Sequence, residues 1–203
     1  METRKQHWEN IYQSKQPNEV SWTQEVPRIS LDLIHGLQLH KDAAIIDVGG
    51  GDSKLVDHLL EEGFENITVL DISGAAIERA KKRLGNKAQK IKWKISDIHD
   101  FVPEQKYDLW HDRAVFHFML SEPDVDNYLS RAREAVKGFL VMGTFSESGP
   151  KKCSALDVRQ YSQEQLASRL QLGFTKLKCL NEDHLTPFNT LQNFTFCSFE
   201  RTN

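Results

Sequence analysis

The 203 residues, 39% hydrophobic and 27% charged with a formal net charge of −3, are enough for one packed domain and too apolar for a disordered chain. The charge gives no reason to expect nucleic acid, no stretch approaches the ~18 apolar residues of a membrane span, and the polar start METRKQHWENIYQSK has no signal-peptide core. Three cysteines (Cys153, Cys179, Cys197) are too few and too scattered for a disulfide framework or a zinc knuckle, so the expectation is a cytoplasmic protein with no metal and no membrane partner.

In chain order, Arg4 to Ser14 reads as a helix with Trp8 and Tyr12 four apart on one face. Glu25 to Leu37 follows, with Ile29, Leu33, Ile34 and Leu37 at helical spacing. From Ala43 the rhythm changes. AAIIDV is a buried strand, Ser53 to Glu62 a helix, ITVLD (67–71) a second strand, and 73–85 a helix closed by Gly85. IKWKIS (91–96) and YDLWHD (107–112) are strands three and four. Ser121 and Asp124 open a helix that runs to Val136 and that Gly138 ends. FLVMGTF (139–145) is strand five, and Ser162 with Gln165 caps a helix to about Gln171. FTKLKCL (174–180) and FTFCSFE (194–200) close the chain. Strands alternating with helices imply a parallel sheet covered on both faces. The last two strands have no helix between them and should run antiparallel to each other.

The loop IIDVGGGDSKL (45–55) raises the functional question. A dinucleotide loop needs G-x-G-x-x-G and offers a helix N-terminus to pyrophosphate. Gly49 and Gly51 fit the first two places, but Lys54 stands in the third. Asp47 and Asp52 would face a phosphate with like charge, a repulsion of about 1 kcal/mol at ~4 Å in water and ~4 kcal/mol at an effective dielectric of 20. A ligand with a cationic end suits this loop better.

From Asp47 to Ser53, DVGGGDS resembles the first motif of the class I, Rossmann-like S-adenosylmethionine-dependent methyltransferases, Asp/Glu-x-Gly-x-Gly-x-Gly or Ser. The resemblance stays in register over roughly residues 40–200. It implies S-adenosylmethionine as cofactor, held at Asp47, Gly49, Gly51 and Ser53. It further implies Asp71, beside Ile72, on both ribose hydroxyls, which a carboxylate can accept at once. Asp97 and the Ile98 backbone would take the adenine. HWENIY followed by EVSW is similar to a subgroup with a Trp-x-x-x-Tyr helix that includes the lysine methyltransferases of elongation factor 1A and of citrate synthase. There Trp8, Tyr12 and Trp22 would close over the cofactor, aromatic faces attracting its sulfonium.

WHDRAVFHF (110–118) follows strand four, where such enzymes place groups near the transferred methyl. Arg113 is expected at the cofactor. His111, Asp112 and His117 are base candidates, with Asp112 favoured and His117 second. The loop 146–161 lacks periodicity and reads as a substrate lid. The expected fold is α/β: a Rossmann-like seven-stranded, mostly parallel sheet with an antiparallel last strand. Residues 1–203 form a single domain, 1–40 the N-terminal helical cap and 41–203 the catalytic sheet. The expected reaction is methyl transfer by a monomer to a protein lysine or to a small molecule such as a carboxylate, thiol or metalloid. A nucleotide-cofactor oxidoreductase, against which Lys54 and the terminal hairpin argue, and an inactive cofactor-binding module are the rivals.

Overall fold

Strand β1 (Ala44–Val48) is buried along its whole length, as a strand covered on both faces must be. The structure, a computed structural model, describes residues 3–202. Helix α1 (Arg4–Ser14) opens on a capping box in which the Thr3 hydroxyl accepts from the Gln6 amide at 3.2 Å. Helix α2 (Arg28–Gly36) turns Leu31, Leu33 and Ile34 into the core. After β1 come α3 (Leu55–Glu61), β2 (Asn66–Asp71), α4 (Gly74–Leu84), β3 (Ile91–Ile95), β4 (Tyr107–Arg113), α5 (Glu122–Ala135) and β5 (Val136–Phe145). Two short strands, β6 (Lys152–Cys153) and β7 (Leu156–Asp157), pair with each other, and α6 (Gln163–Leu170), β8 (Phe174–Leu185) and β9 (Leu191–Arg201) complete the chain.

The seven long strands lie in the order β3-β2-β1-β4-β5-β9-β8. β1 to β5 pair in parallel, and β9 runs antiparallel between β5 and β8. The expected architecture is therefore present, and the parallel strands aim their C-terminal ends at one edge, where open α/β sheets hold ligands. No helix among the described residues is long and apolar enough to cross a membrane.

Four local expectations are corrected. Helix α5 stops at Ala135 and the chain passes directly into β5, so Gly138 lies inside that strand. There a Cβ would collide with the Asp108 carbonyl at the irregular register of β4 and β5, so the glycine serves close strand approach rather than a helix end. The terminal strands run to 12 and 11 residues, because pairing continues to Leu185–Leu191 and leaves only Thr186–Thr190 as the turn. Cys179 and Cys197 face each other in that register and form a disulfide, which their spacing of 18 in the sequence conceals. The 146–161 segment contains the β6–β7 hairpin, with Ser154 and Ala155 at φ 50° and 66°. It is a folded flap, not an irregular loop.

Gly143 in β5 shows how tightly this sheet is filled. A Cβ there would stand 2.8 Å from Cδ1 and Cζ of Phe196, and nearer still to Cε1. Gly143→Val is therefore expected to cost about 1–3 kcal/mol by overpacking, read as a lower urea midpoint. An unchanged midpoint would mean that the Phe196 ring does not fill that space.

Candidate functional site

The turn after β1 is the foundation of the site. Gly49 (φ 67°) and Gly50 donate their amides to the Leu70 carbonyl at 2.7 and 3.2 Å, tying the turn to the end of β2. A Cβ on Gly49 would run into Val115, and one on Gly51 into the Asp71 carboxylate and Ala76. Only glycines let the turn lie this close to its neighbours. Asp47 at the end of β1 and Asp71 at the end of β2 are both buried, and both line a cavity of about 790 Å³ over the C-terminal ends of the strands.

Asp47 is oriented by a chain of side chains. Its Oδ1 lies 2.7 Å from His111 Nδ1, and His111 Nε2 lies 2.9 Å from the Ser30 hydroxyl on α2. Asp47 Oδ2 is shut off from solvent with no partner. For Asp71, burial and the nearby Asp47 charge raise the pKa to about 7, against the lowering effect of the Ser73 and Gly51 amides. Asp97 lines the cavity beyond β3, with Oδ1 held by the amide (3.0 Å) and Nδ1 (2.9 Å) of His99. The second acid of the glycine loop behaves differently. Asp52 is paired with Arg83, which also bonds Asp57 at 2.8 Å and the Ser53 carbonyl at 2.8 Å. Its charge is paired within the protein, whereas Asp47 keeps one carboxylate oxygen with no hydrogen-bond partner.

The N-terminal aromatics join the same cavity. Trp8, Tyr12, Trp22 and Phe118 line it, with the Trp8 ring centre 5.7 Å from Trp22 and 5.3 Å from Phe118. What pins α1 there is a residue that no motif marked. Glu9 accepts from the Ser73 hydroxyl at 2.8 Å and from the Ala75 amide at 3.2 Å, at the start of α4. Burial would raise the Glu9 pKa, but hydrogen bonds from Ser73, Ala75 and Gly74 outweigh it and hold the carboxyl below the usual range, as a helix N-terminus favours an anion.

Of the expected site residues, Trp8, Tyr12, Trp22, Asp47, Gly49, Ser53, Asp71, Ile72, Asp97, Ile98 and Arg113 line the cavity, and Gly51 supports its floor. Asp112 and His117 do not face it. Side chains alternate along a strand: His111 and Arg113 point into the cavity, and Asp112 points to α5. There its carboxylate accepts from the Tyr128 hydroxyl and from the amides of Val115 (2.9 Å) and Phe116 (3.0 Å). Burial pushes its pKa up to about 6 against those bonds. These contacts hold the turn at Ala114 (φ 72°), a strained position that seats Val115 against Gly49. His117 is buried with Nδ1 facing the Phe145 amide at 3.3 Å. Burial and the Arg113 charge lower its pKa to about 3, so it is a neutral core imidazole. Neither is positioned as a base.

Residues 46–138 match the family model described as a methyltransferase domain. Among curated relatives, malonyl-[acyl-carrier protein] O-methyltransferase 1 of Ilyobacter polytropus is 33% identical over 98 residues, covering 47% of this chain and 35% of that protein. EEF1A lysine methyltransferase 2 of Homo sapiens is 28% identical over 147 residues, covering 66% and 60%. The chain thus spans about a third and three-fifths of these two relatives. A solved S-adenosylmethionine-dependent methyltransferase from Anabaena variabilis superposes with a TM-score of 0.75 at 16% identity over 98% of this chain and 93% of its own. Burkholderia thailandensis 1,6-didemethyltoxoflavin-N1-methyltransferase, solved with S-adenosylhomocysteine, gives 0.72 at 16% over 96% and 82%. The fold is that of the class I methyltransferases.

The two roles for Asp112 separate experimentally. As a turn anchor, Asp112→Asn replaces one acceptor oxygen with an amide facing N–H donors, and unfolding free energy should fall by about 1–3 kcal/mol in urea titrations. Lost methyl transfer with unaltered unfolding would restore Asp112 as the base.

Proposed function

We propose that this chain, with its class I methyltransferase fold and a methyltransferase domain over residues 46–138, transfers a methyl group from S-adenosylmethionine to a protein lysine or a small-molecule nucleophile. The observation that carries the reading is Asp47 Oδ2, an acceptor buried at the glycine turn with no partner of its own. A buried carboxylate oxygen left bare is costly, and a ligand ammonium is the partner this place fits. Asp71 fits two ribose hydroxyls, and Asp97 with the Ile98 backbone fits an adenine edge. Residues 1–40 act as the cap and 41–203 as the catalytic sheet.

When bound, the cofactor supplies a methyl carbon on a positively charged sulfur, which is already a good leaving group. The chain supplies position. Asp47, Asp71 and Asp97, at the ends of β1, β2 and β3, would hold the cofactor along one side of the sheet, leaving the ends of β4 and β5 for the acceptor. Trp8, Tyr12, Trp22 and Phe118 exclude water and face a cation with their rings. With Asp112 and His117 turned away and both His111 ring nitrogens engaged by Asp47 and Ser30, the acceptor is required to arrive deprotonated, and alignment within ~3–3.5 Å does the rest. The curated relatives' names include an oxygen acceptor and a lysine acceptor, which supports both acceptor classes.

Asp71 gives the test a pH signature. Two ribose hydroxyls donate one to each oxygen most strongly when the carboxylate is ionised, so cofactor binding releases the proton that burial retains near pH 7. S-adenosylhomocysteine should bind about tenfold more tightly at pH 8 than at pH 6. In Asp71→Asn that gain should vanish, with affinity at pH 8 down at least about tenfold. NAD should not bind at either pH. Calorimetry that finds NAD binding and none for S-adenosylhomocysteine would sink the function, and a pH profile shared with Asp71→Asn would sink the ribose assignment.

The cap makes a separate prediction. Deleting residues 1–16 should abolish methyl transfer and weaken S-adenosylhomocysteine binding while circular dichroism still reports the folded sheet. Unaltered affinity in a protein of lower Tm would make α1 a structural strut and not a cover.

A further inference from the structure

Arg113 ends β4 and enters the cavity beside Cys153. Its Nη1 donates to the Trp22 carbonyl at 2.9 Å, and the Phe194 ring lies under the guanidinium with its centre 5.0 Å away. The other two nitrogens, Nε and Nη2, are shut off from solvent with no hydrogen-bond partner. Burial lowers the pKa only to about 10, with Glu182 opposing, so the group remains a cation at neutral pH. A buried charged donor without a partner is strongly unfavourable, and its retention calls for a ligand that completes it.

The identity of the free nitrogens specifies the ligand. Nε–H and one Nη2–H leave the same edge of the planar fork in parallel, the arrangement that matches two carboxylate oxygens. Position specifies which ligand. Asp97, Asp71 and Asp47 belong to the ends of β3, β2 and β1, and Arg113 to the end of β4, one strand further along. On the methyl-transfer reading proposed above, on which this inference rests, that is the acceptor side. Glu182 of β8, whose charge Arg113 feels most, has its own Oε2 buried and unpartnered. Burial raises its pKa against the opposing Arg113 charge.

The geometry points to Arg113 as the anchor for the carboxylate of a small methyl acceptor, held by the free Nε/Nη2 edge while the nucleophile faces the methyl. A neutral lysine amine offers this edge no oxygen to accept from it, whereas a carboxylate accepts from both N–H groups at once. The acceptor class is therefore an organic acid.

The test uses wild-type protein, Arg113→Gln and Arg113→Lys, each first titrated with S-adenosylhomocysteine. The loaded proteins are then titrated with succinate and glutarate, with succinamide as neutral control and 1,4-diaminobutane as the cation. Calorimetry and fluorescence of Trp8 and Trp22 report binding. Wild type should take the dicarboxylates in preference to the diamide and diamine. Both variants should lose at least about tenfold in dicarboxylate affinity, because lysine keeps the charge but not the fork, and that loss should be several times larger than any loss of S-adenosylhomocysteine affinity. If Arg113→Gln does not fold, Arg113→Lys decides alone. Wild type indifferent to carboxylates, or variants that lose S-adenosylhomocysteine affinity to the same degree because the edge serves the cofactor's own carboxylate, would overturn this proposal only. Wild type that binds no S-adenosylhomocysteine would overturn the methyl-transfer reading and this proposal with it.

Discussion

Everything at this site depends on how closely the turn after β1 lies against β2. The amides of Gly49 and Gly50 share the Leu70 carbonyl, and that pair of bonds brings Asp47 and Asp71 under one cavity roof. Any side chain at Gly49 or Gly51 would push the turn away from Val115 or from the Asp71 carboxylate. The raised Asp71 pKa follows from the same closeness, since burial and a second acid nearby both resist its ionisation. A polyanion would find no welcome there, and a cation would relieve the site.

The charges that remain are separated by role. Asp52 and Asp57 are spent on Arg83, which holds the glycine loop to α4. Glu122 holds Arg159 and Arg169, joining the start of α5 to the flap that follows β5 and to α6. Asp112 fastens the turn after β4. These groups make the frame rigid. Asp47 and Arg113 line the cavity and keep unpartnered atoms, whereas Asp52 and Asp112, which stand close to them in the chain, are bonded within the protein.

That adjacency marks the limit of what the sequence discloses. That Asp47, Gly49, Asp71 and Asp97 meet at one cavity was legible because they mark the ends of the first three strands, and strand ends are visible as apolar runs. Asp112 and His117, singled out on polarity alone, lie off the cavity. The alternation of His111, Asp112 and Arg113 along β4 was available and would have turned Asp112 inward. Glu9, Ser30 and Arg83 act through partners 64, 81 and about 30 residues away, and no local spacing signals such pairings. The Cys179–Cys197 bond was hidden for a related reason, since it follows from a register that only the completed hairpin defines.

Helix α1 has no fully buried residue. Its anchorage includes the Glu9 carboxylate on the first turn of α4, the Trp8 ring packed against the core, and the contact of Arg4 with His99 at 3.5 Å. Lifting such a helix would expose less apolar surface than unfolding a core element, so the heat-capacity change of opening would be the smaller of the two. The equilibrium between closed and open cap should then shift little with temperature. It should respond instead to ionic strength, because a carboxylate at a helix terminus is screened by salt. A cap held this way would respond to conditions that leave the sheet beneath it unaffected.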